Sequence, residues 1–395
     1  IAIEAESGAR YRFGDIRFAE QQALDEAFVR KLADLEPGTP YTANAITSLD
    51  RRLSASGYFD TVSVRARRDQ RVDDTVPLEI DLSPARRHAW RFGLGFATDK
   101  GPRASARYDN RYVNRNGHRL ESELRLSPVE TGMTADYVIP GRQPRTETFS
   151  LGAGVLHQDT DSFDSTRGSL IGRQVLDQDP WVQTRFVELQ YESSEVGDED
   201  IHTTLLMPGI AIERLETDNP LRARRGYRIN LEVRGAWEAL LSSASFIQLR
   251  ASAKGAYRFG EGGRVIGRID AGTTPGDPLD ELPVSVRFFA GGDNSVRGYR
   301  YQSLGPENAD GDTTGGRHLL TGSLEYDHPV YGDDLWAAAF VDAGNAFDDD
   351  FSVRYSVGVG ARWYSPVGRV SLDLAFPDDT SRDDWRIHFG LGVGF

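Results

Sequence analysis

From about residue 86 to the end, apolar and polar residues alternate with a period of two, in segments of roughly ten residues. The final segment shows the pattern best. Trp385, Ile387, Phe389, Leu391, Val393 and Phe395 share one face, and Arg386, His388, Gly390, Gly392 and Gly394 share the other. Near the start of the region, Trp90, Phe92, Leu94 and Phe96 alternate in the same way against Arg91, Gly93 and Gly95. Sixteen such segments can be counted, near 88–98, 103–112, 118–127, 132–139, 147–158, 166–176, 181–192, 201–214, 225–238, 244–258, 263–273, 317–328, 335–346, 353–364, 368–376 and 385–395. A soluble sandwich also alternates, but its polar face seldom consists of three successive glycines beside a terminal aromatic. The pattern therefore predicts a mainly β fold, a sixteen-stranded antiparallel transmembrane β-barrel over 86–395. Lipid offers no partner to an open sheet edge, so the first and last segments must meet. Residues 274–316 then form an unusually long loop between the eleventh and twelfth strands, and loops of that length are usually functional or disordered.

The chain before residue 86 follows a different rhythm. Tyr11–Phe18 reads as a strand, after which Leu24, Phe28, Leu32 and Leu35 recur at helical spacing until Pro37-Gly38 stops the pattern. Ile46, Leu49 and Leu53 share one face of a second helix, with Gly57 where a C-terminal cap is expected. Val62 and Val64, and then Val76, Leu78, Ile80 and Leu82, alternate with polar neighbours as strands do. The predicted order is β-α-α-β-β, in a small α+β domain. Its three short strands are too few to bury both sheet edges, and an exposed edge can accept a further strand from another chain.

Composition narrows the setting. Among 395 residues, 41 glycines and 10% aromatics favour many short strands and turns. Mean hydropathy is −0.48, and the longest apolar run, Leu335–Val341, falls far short of the roughly 20 residues that a spanning helix needs. Membrane strands escape that test because they are apolar on one face only. The absence of cysteine removes disulfides, thiolate metal sites and cysteine nucleophiles together. A net charge of −14 argues against a nucleic-acid partner, which requires a basic surface. The acids gather between the alternating segments, at Asp159, Asp161 and Asp164, at Glu195, Asp198, Glu199 and Asp200, and at Asp348–Asp350, where loop tips are expected. No signal peptide is visible and the chain opens inside what reads as a strand, as expected if its natural N-terminus lies upstream.

Catalysis finds little support. The seven histidines never fall at metal-site spacing, and no nucleophile elbow or phosphate loop is present. Asn308, Asp310, Gly311 and Asp312 lack the downstream bidentate acid of a calcium loop and read as a tight polar turn. The expectation is a protein without cofactor, metal or catalytic residue. Electrostatics offers more. If the long loop enters the barrel, Arg297 leaves bulk water and needs acidic partners, because an isolated buried charge costs several kcal/mol. Alternation turns Glu325 away from Leu324 and Tyr326, and Asp342 away from Val341, so both acids point inward. A guanidinium fork can pair bidentately with such carboxylates. The closing seam, Phe92–Gly95 against Phe389–Phe395, has largely glycine on its inward face and is expected to be the weakest in the barrel.

Several stretches carry a resemblance. Residues 288–305 read FFAGGDNSVRGYRYQSLG, with Val296-Arg297-Gly298-Tyr299 at the core, and Leu53–Asp60 reads LSASGYFD. Phe340–Gly344 (FVDAG), Tyr364–Gly368 (YSPVG) and a terminal Phe395 add to these. Together they resemble the outer-membrane protein-assembly superfamily, in which POTRA domains precede a sixteen-stranded barrel, and within it the TamA branch more closely than BamA or the two-partner secretion transporters. The resemblance implies a POTRA domain at 1–85, with the remnant of a preceding segment at 1–9, and a barrel at 86–395. It also implies that Arg297 of the loop motif works against Glu325 and Asp342. The implied location is the bacterial outer membrane, with the POTRA domain in the periplasm. The implied function is insertion or translocation of client proteins such as autotransporters through a lateral seam, with a TamB-like inner-membrane-anchored partner and outer-membrane lipids. The alternative is a pore exporting one polypeptide by two-partner secretion. A passive porin gives no reason for a POTRA domain. The TamA branch is expected to carry three such domains, and this chain shows one.

Overall fold

The computed structural model describes residues 10–18, 23–197, 199–219, 222–260, 262–332, 334–365, 368–378 and 385–392. The N-terminal domain runs β1 (Arg12–Phe18), α1 (Glu26–Ala33), α2 (Ala43–Ala55), β2 (Phe59–Ala66) and β3 (Thr75–Pro84). Its sheet has the order β1-β3-β2, with β1 parallel and β2 antiparallel to the central β3. The alternation in β3 explains its central place, because Val76, Leu78, Ile80 and Leu82 are all buried. Leu78 and Ile80 meet Phe13, Leu49 and Leu53 in one core. Thr42 caps α2 by accepting the Ala45 N–H at 3.1 Å, and Gly57 follows the helix in the left-handed region at φ +78°. Helix α1 is shorter than its hydrophobic spacing suggested. Asp34 adopts φ 47° and ends it, leaving Leu24 before the helix and Leu35 after it, although both still pack on the core. Hydrophobic spacing thus marks the side chains that share a core, while the backbone turn decides how many of them are helical.

The remaining strands form a closed antiparallel barrel, β4 (His88–Ala97), β5 (Gly101–Asn110), β6 (Arg119–Leu126), β7 (Glu130–Pro140), β8 (Glu147–Asp159), β9 (Asp164–Gln178), β10 (Trp181–Val196), β11 (Glu199–Thr217), β12 (Arg225–Ala236), β13 (Phe246–Arg258), β14 (Arg264–Thr273), β15 (His318–Tyr331), β16 (Leu335–Phe347), β17 (Arg354–Ser365), β18 (Gly368–Pro377) and β19 (Arg386–Gly392). All sixteen alternating segments are strands. Strands β10 and β11 run further than their alternation indicated, so Glu195, Glu199 and Asp200 are paired strand residues instead of loop residues. Asp198 lies outside the described residues.

Large apolar side chains stand exposed on the outward face, among them Leu94, Leu151, Leu170, Val187, Leu324, Val359 and Ile387. A continuous apolar outer surface on a closed sheet suits lipid and would be a liability in water. No helix among the described residues is long and apolar enough to cross a membrane, which says nothing of a barrel whose strands would cross instead. Inward positions are polar, with Gln190, Glu192, Gln248, Asp327 and Asp342 buried. Residues 274–316 pack among them. Leu282 and Val286 of this loop contact Leu205, Met207 and Phe246, while Ala290, Val296, Tyr299 and Leu304 form a cluster of their own.

Candidate functional site: a loop clasp beside a short seam

Gly291, Gly292 and Gly298 adopt φ of 97°, 99° and 102°, which L side chains rarely accept, and they fold the motif back on itself. A Cβ at Gly298 would also press Ser356 and Pro377, at 3.1 and 3.3 Å. This compact turn seats Val296 and Tyr299, both buried, and directs Arg297 at the wall formed by β15 to β18.

Arg297 engages Asp342 bidentately, donating from Nε at 2.7 Å and from Nη2 at 2.9 Å, while its own backbone N–H reaches Asp342 Oδ2 at 3.1 Å. Its Nη1 donates to Glu325 at 2.7 Å and to Asp373 at 3.3 Å, and Nη2 reaches Ser323 Oγ at 3.2 Å. The guanidinium carbon sits 3.4 Å from the Phe340 ring centroid. A second arginine completes the cluster. Arg362 donates to Glu325 from Nε at 3.2 Å and from Nη2 at 2.8 Å, and its Nη1 holds Asp373. Burial alone would pull the Arg297 pKa down, but the hydrogen bonds and charge of Asp342, with the charges of Glu325 and Asp373, hold it above the ordinary guanidinium range.

Two guanidiniums therefore face three carboxylates, one negative charge in excess, on side chains at most a tenth exposed. Lys254 and Arg268 line the same cavity of about 490 Å³, with Asp270 paired to Arg268 at 3.4 Å. Space is as restricted as charge. A Cβ at Gly360 would fall 1.9 Å from Asp373 Oδ1 and 2.8 Å from Arg362 Nη1, so the paired charges depend on a glycine beneath them. The expected trio of Arg297, Glu325 and Asp342 is thus brought together. Arg362 and Asp373 were not anticipated. The clue was present in the alternation of β17 and β18, where both are polar residues on the face opposite Ala361, Trp363, Leu372 and Leu374.

The seam lies beside this cluster. Gly390 opposite Ala97 is the one registered pair between β19 and β4 among the described residues, whereas β18 and β19 share seven. Thr98 adds two bonds to Phe389, its N–H donating to the carbonyl at 3.2 Å and its Oγ1 accepting the N–H at 2.7 Å. Arg103 reaches the Leu391 carbonyl at 3.4 Å. Phe92 and Leu94 point outward, and Gly93 and Gly95 line the inner face. The anticipated partners of β4 extended over Phe389–Phe395. Val393, Gly394 and Phe395 lie outside the described residues, and Gly392 ends β19 opposite Arg369 of β18.

A closed barrel of sixteen strands that shares its chain with a β-α-α-β-β domain, and seats a Val-Arg-Gly-Tyr loop on inward carboxylates, defines a POTRA-bearing β-barrel. The chain belongs to the Omp85 superfamily, whose domain model matches residues 61–395, and a POTRA model described as a surface antigen variable number repeat matches residues 11–85. It is similar to the outer membrane protein assembly factor BamA of Neisseria meningitidis, 24% identical over 472 aligned residues covering 100% of this chain and 58% of that protein. BamA of Nitratidesulfovibrio vulgaris is 33% identical over 142 residues, 33% of this chain and 18% of that one. The chain thus spans little more than half of the longer match. Among solved structures, BamA of Haemophilus ducreyi lacking POTRA domains 1–3 superposes with a TM-score of 0.84 at 16% identity, covering 99% of this chain and 86% of that one. CdiB from Acinetobacter baumannii gives 0.61 at 13%, covering 98% and 74%.

Replacing Arg297 with alanine leaves Asp342 without its bidentate partner and three acids sharing one guanidinium. Breaking a buried pair in this way costs about 3–5 kcal/mol. Protease cleavage within 274–316 should accelerate strongly in Arg297→Ala, and Arg297→Lys should recover only part of the resistance because a point charge cannot replace the fork. Cleavage at the wild-type rate in both variants would show that the clasp does not hold the loop.

Proposed function

We propose that this protein is an outer-membrane assembly factor that inserts or translocates client proteins by pairing their strands with the seam margin of β4, its POTRA domain lying in the periplasm. The observation that carries the reading is the contrast, among the described residues, between one registered pair at the β4–β19 seam and seven at the neighbouring β18–β19 ladder. Backbone groups in lipid must be paired, so a client strand that takes over from β19 enters the membrane without exposing its own edge. No catalytic group, nucleotide or cofactor is required, because the client's own folding supplies the free energy. The length and sequence of the motif run from Arg287 to Pro306 support a narrower reading, a TamA-like factor that assembles clients such as autotransporters with a TamB-like partner. Co-purification with that partner tests the narrower reading alone.

The chain has no cysteine, so an introduced pair can be read without background. Ala97→Cys with Gly390→Cys places the thiols at the registered position. In liposomes, the oxidised protein should fail to accelerate folding of a client barrel, and reduction should restore the activity. Full acceleration in the quantitatively oxidised protein would exclude the seam. Transport of a soluble β-helical polypeptide by that locked protein would favour a two-partner secretion pore.

Among the described residues no strand lies beyond β2 in the POTRA sheet, whereas the start of β1 is covered by residues 38–41, with Phe13 N–H donating to the Thr39 carbonyl at 2.9 Å. Photocrosslinkers at Thr61, Ser63 and Arg65 should capture client or partner chains in preference to crosslinkers along β1. Capture mainly from α1 or α2 would rule out strand addition.

A further inference from the structure

Near the seam, three segments distant in sequence converge. Asp99 comes from the turn between β4 and β5, Asp293 from the long loop and His388 from β19. One oxygen of each carboxylate and Nδ1 of His388 all lie within 4.8 Å of one another. His388 Nδ1 contacts Asp293 Oδ1 directly and stands 3.8 Å from Asp99 Oδ1. Asp99 accepts the Asp293 N–H through Oδ2, but its Oδ1 is buried without any hydrogen-bond partner on a side chain only 5% exposed. An orphaned carboxylate oxygen facing a second carboxylate and an imidazole is an unstable arrangement of protein groups alone.

We propose that Asp99, Asp293 and His388 form a binding site for one divalent transition-metal ion of the zinc class, which ties the first turn, the loop and the last strand together beside the seam. Two carboxylates neutralise a divalent charge, and the imidazole nitrogen favours a borderline ion over calcium or magnesium, which prefer oxygen alone. Ligand bonds of about 2.0–2.2 Å put neighbouring ligand atoms about 3.3–3.6 Å apart in a tetrahedral site, so the 3.8 Å between His388 Nδ1 and Asp99 Oδ1 is close to fitting, while the His388–Asp293 contact must open to admit the ion. Three protein ligands leave a coordination position for water. The two nearby cations on β5 and its preceding turn are otherwise engaged, Lys100 with Glu130 at 2.9 Å and Arg103 with the Leu391 carbonyl. Without the ion, His388 Nε2 accepts the Gly298 N–H at 3.2 Å, which places the ring proton on Nδ1. The ion takes the position of that proton, which moves to Nε2, and Gly298 gives up its acceptor. Occupancy thus exchanges one hold on the loop motif for a tie across the seam.

Titrating Co²⁺ and Zn²⁺ calorimetrically into the full chain, folded in detergent without a polyhistidine tag and stripped with chelator, should give one ion per chain, with a Co²⁺ visible spectrum. His388→Gln should weaken binding by about 100-fold or more, beyond the loss typical of an outer-shell change. Asp293→Asn, in the loop and away from the strand ladder, should do the same, with heat-modifiable gel migration showing the barrel intact in both. No stoichiometric binding by the wild-type chain, or wild-type affinity in both variants, would overturn the proposal and leave a purely hydrogen-bonded triad.

Discussion

A backbone placed in hydrocarbon has no water to fall back on, so every strand needs a partner on each side and the sheet must close. That requirement organises the barrel. It explains why alternation persists through all sixteen strands, and why the outward positions are apolar while charge collects inside. It also makes the boundary where Gly390 stands opposite Ala97 the place at which the first and last strands of the wall must meet.

Closure creates a second problem, because side chains packed inside the barrel are shut away from bulk water. Charges brought inside must be compensated locally. Arg297, Arg362, Glu325, Asp342 and Asp373 meet this demand as a set, each acid bonded to at least one guanidinium. Such a set is weak evidence of net stability, but removing one member strands the others. The motif loop is thereby held at a unique position instead of collapsing anywhere in the lumen.

Strand number and most strand positions were legible because a period of two is imposed directly by the pleat, and the inward direction of Glu325 and Asp342 followed from it. Arg297 was legible through its loop motif. Arg362 and Asp373 were harder to find, because inward polar residues are common in a barrel lumen and pairing across β15, β17 and β18 depends on register. The role of Gly360 was equally hidden, since a glycine leaves no mark of what it makes room for. The overlong estimate of α1 arose because Leu24 and Leu35 continue the helical spacing while serving the core from outside the helix. The cluster at Asp99, Asp293 and His388 draws on three segments with no local signal in common, so only the fold brings it into view.

The clasp also distributes stiffness unevenly around the wall. Side chains of β15, β16, β17 and β18 are tied to one loop through the charged set, and β19 joins them through His388 and the Gly298 N–H. These five strands form a cross-braced panel. Across the seam, β4 presents Gly93 and Gly95 inward and has no side chain there to brace. Tension applied at the boundary therefore meets a girder on one margin and a ribbon on the other.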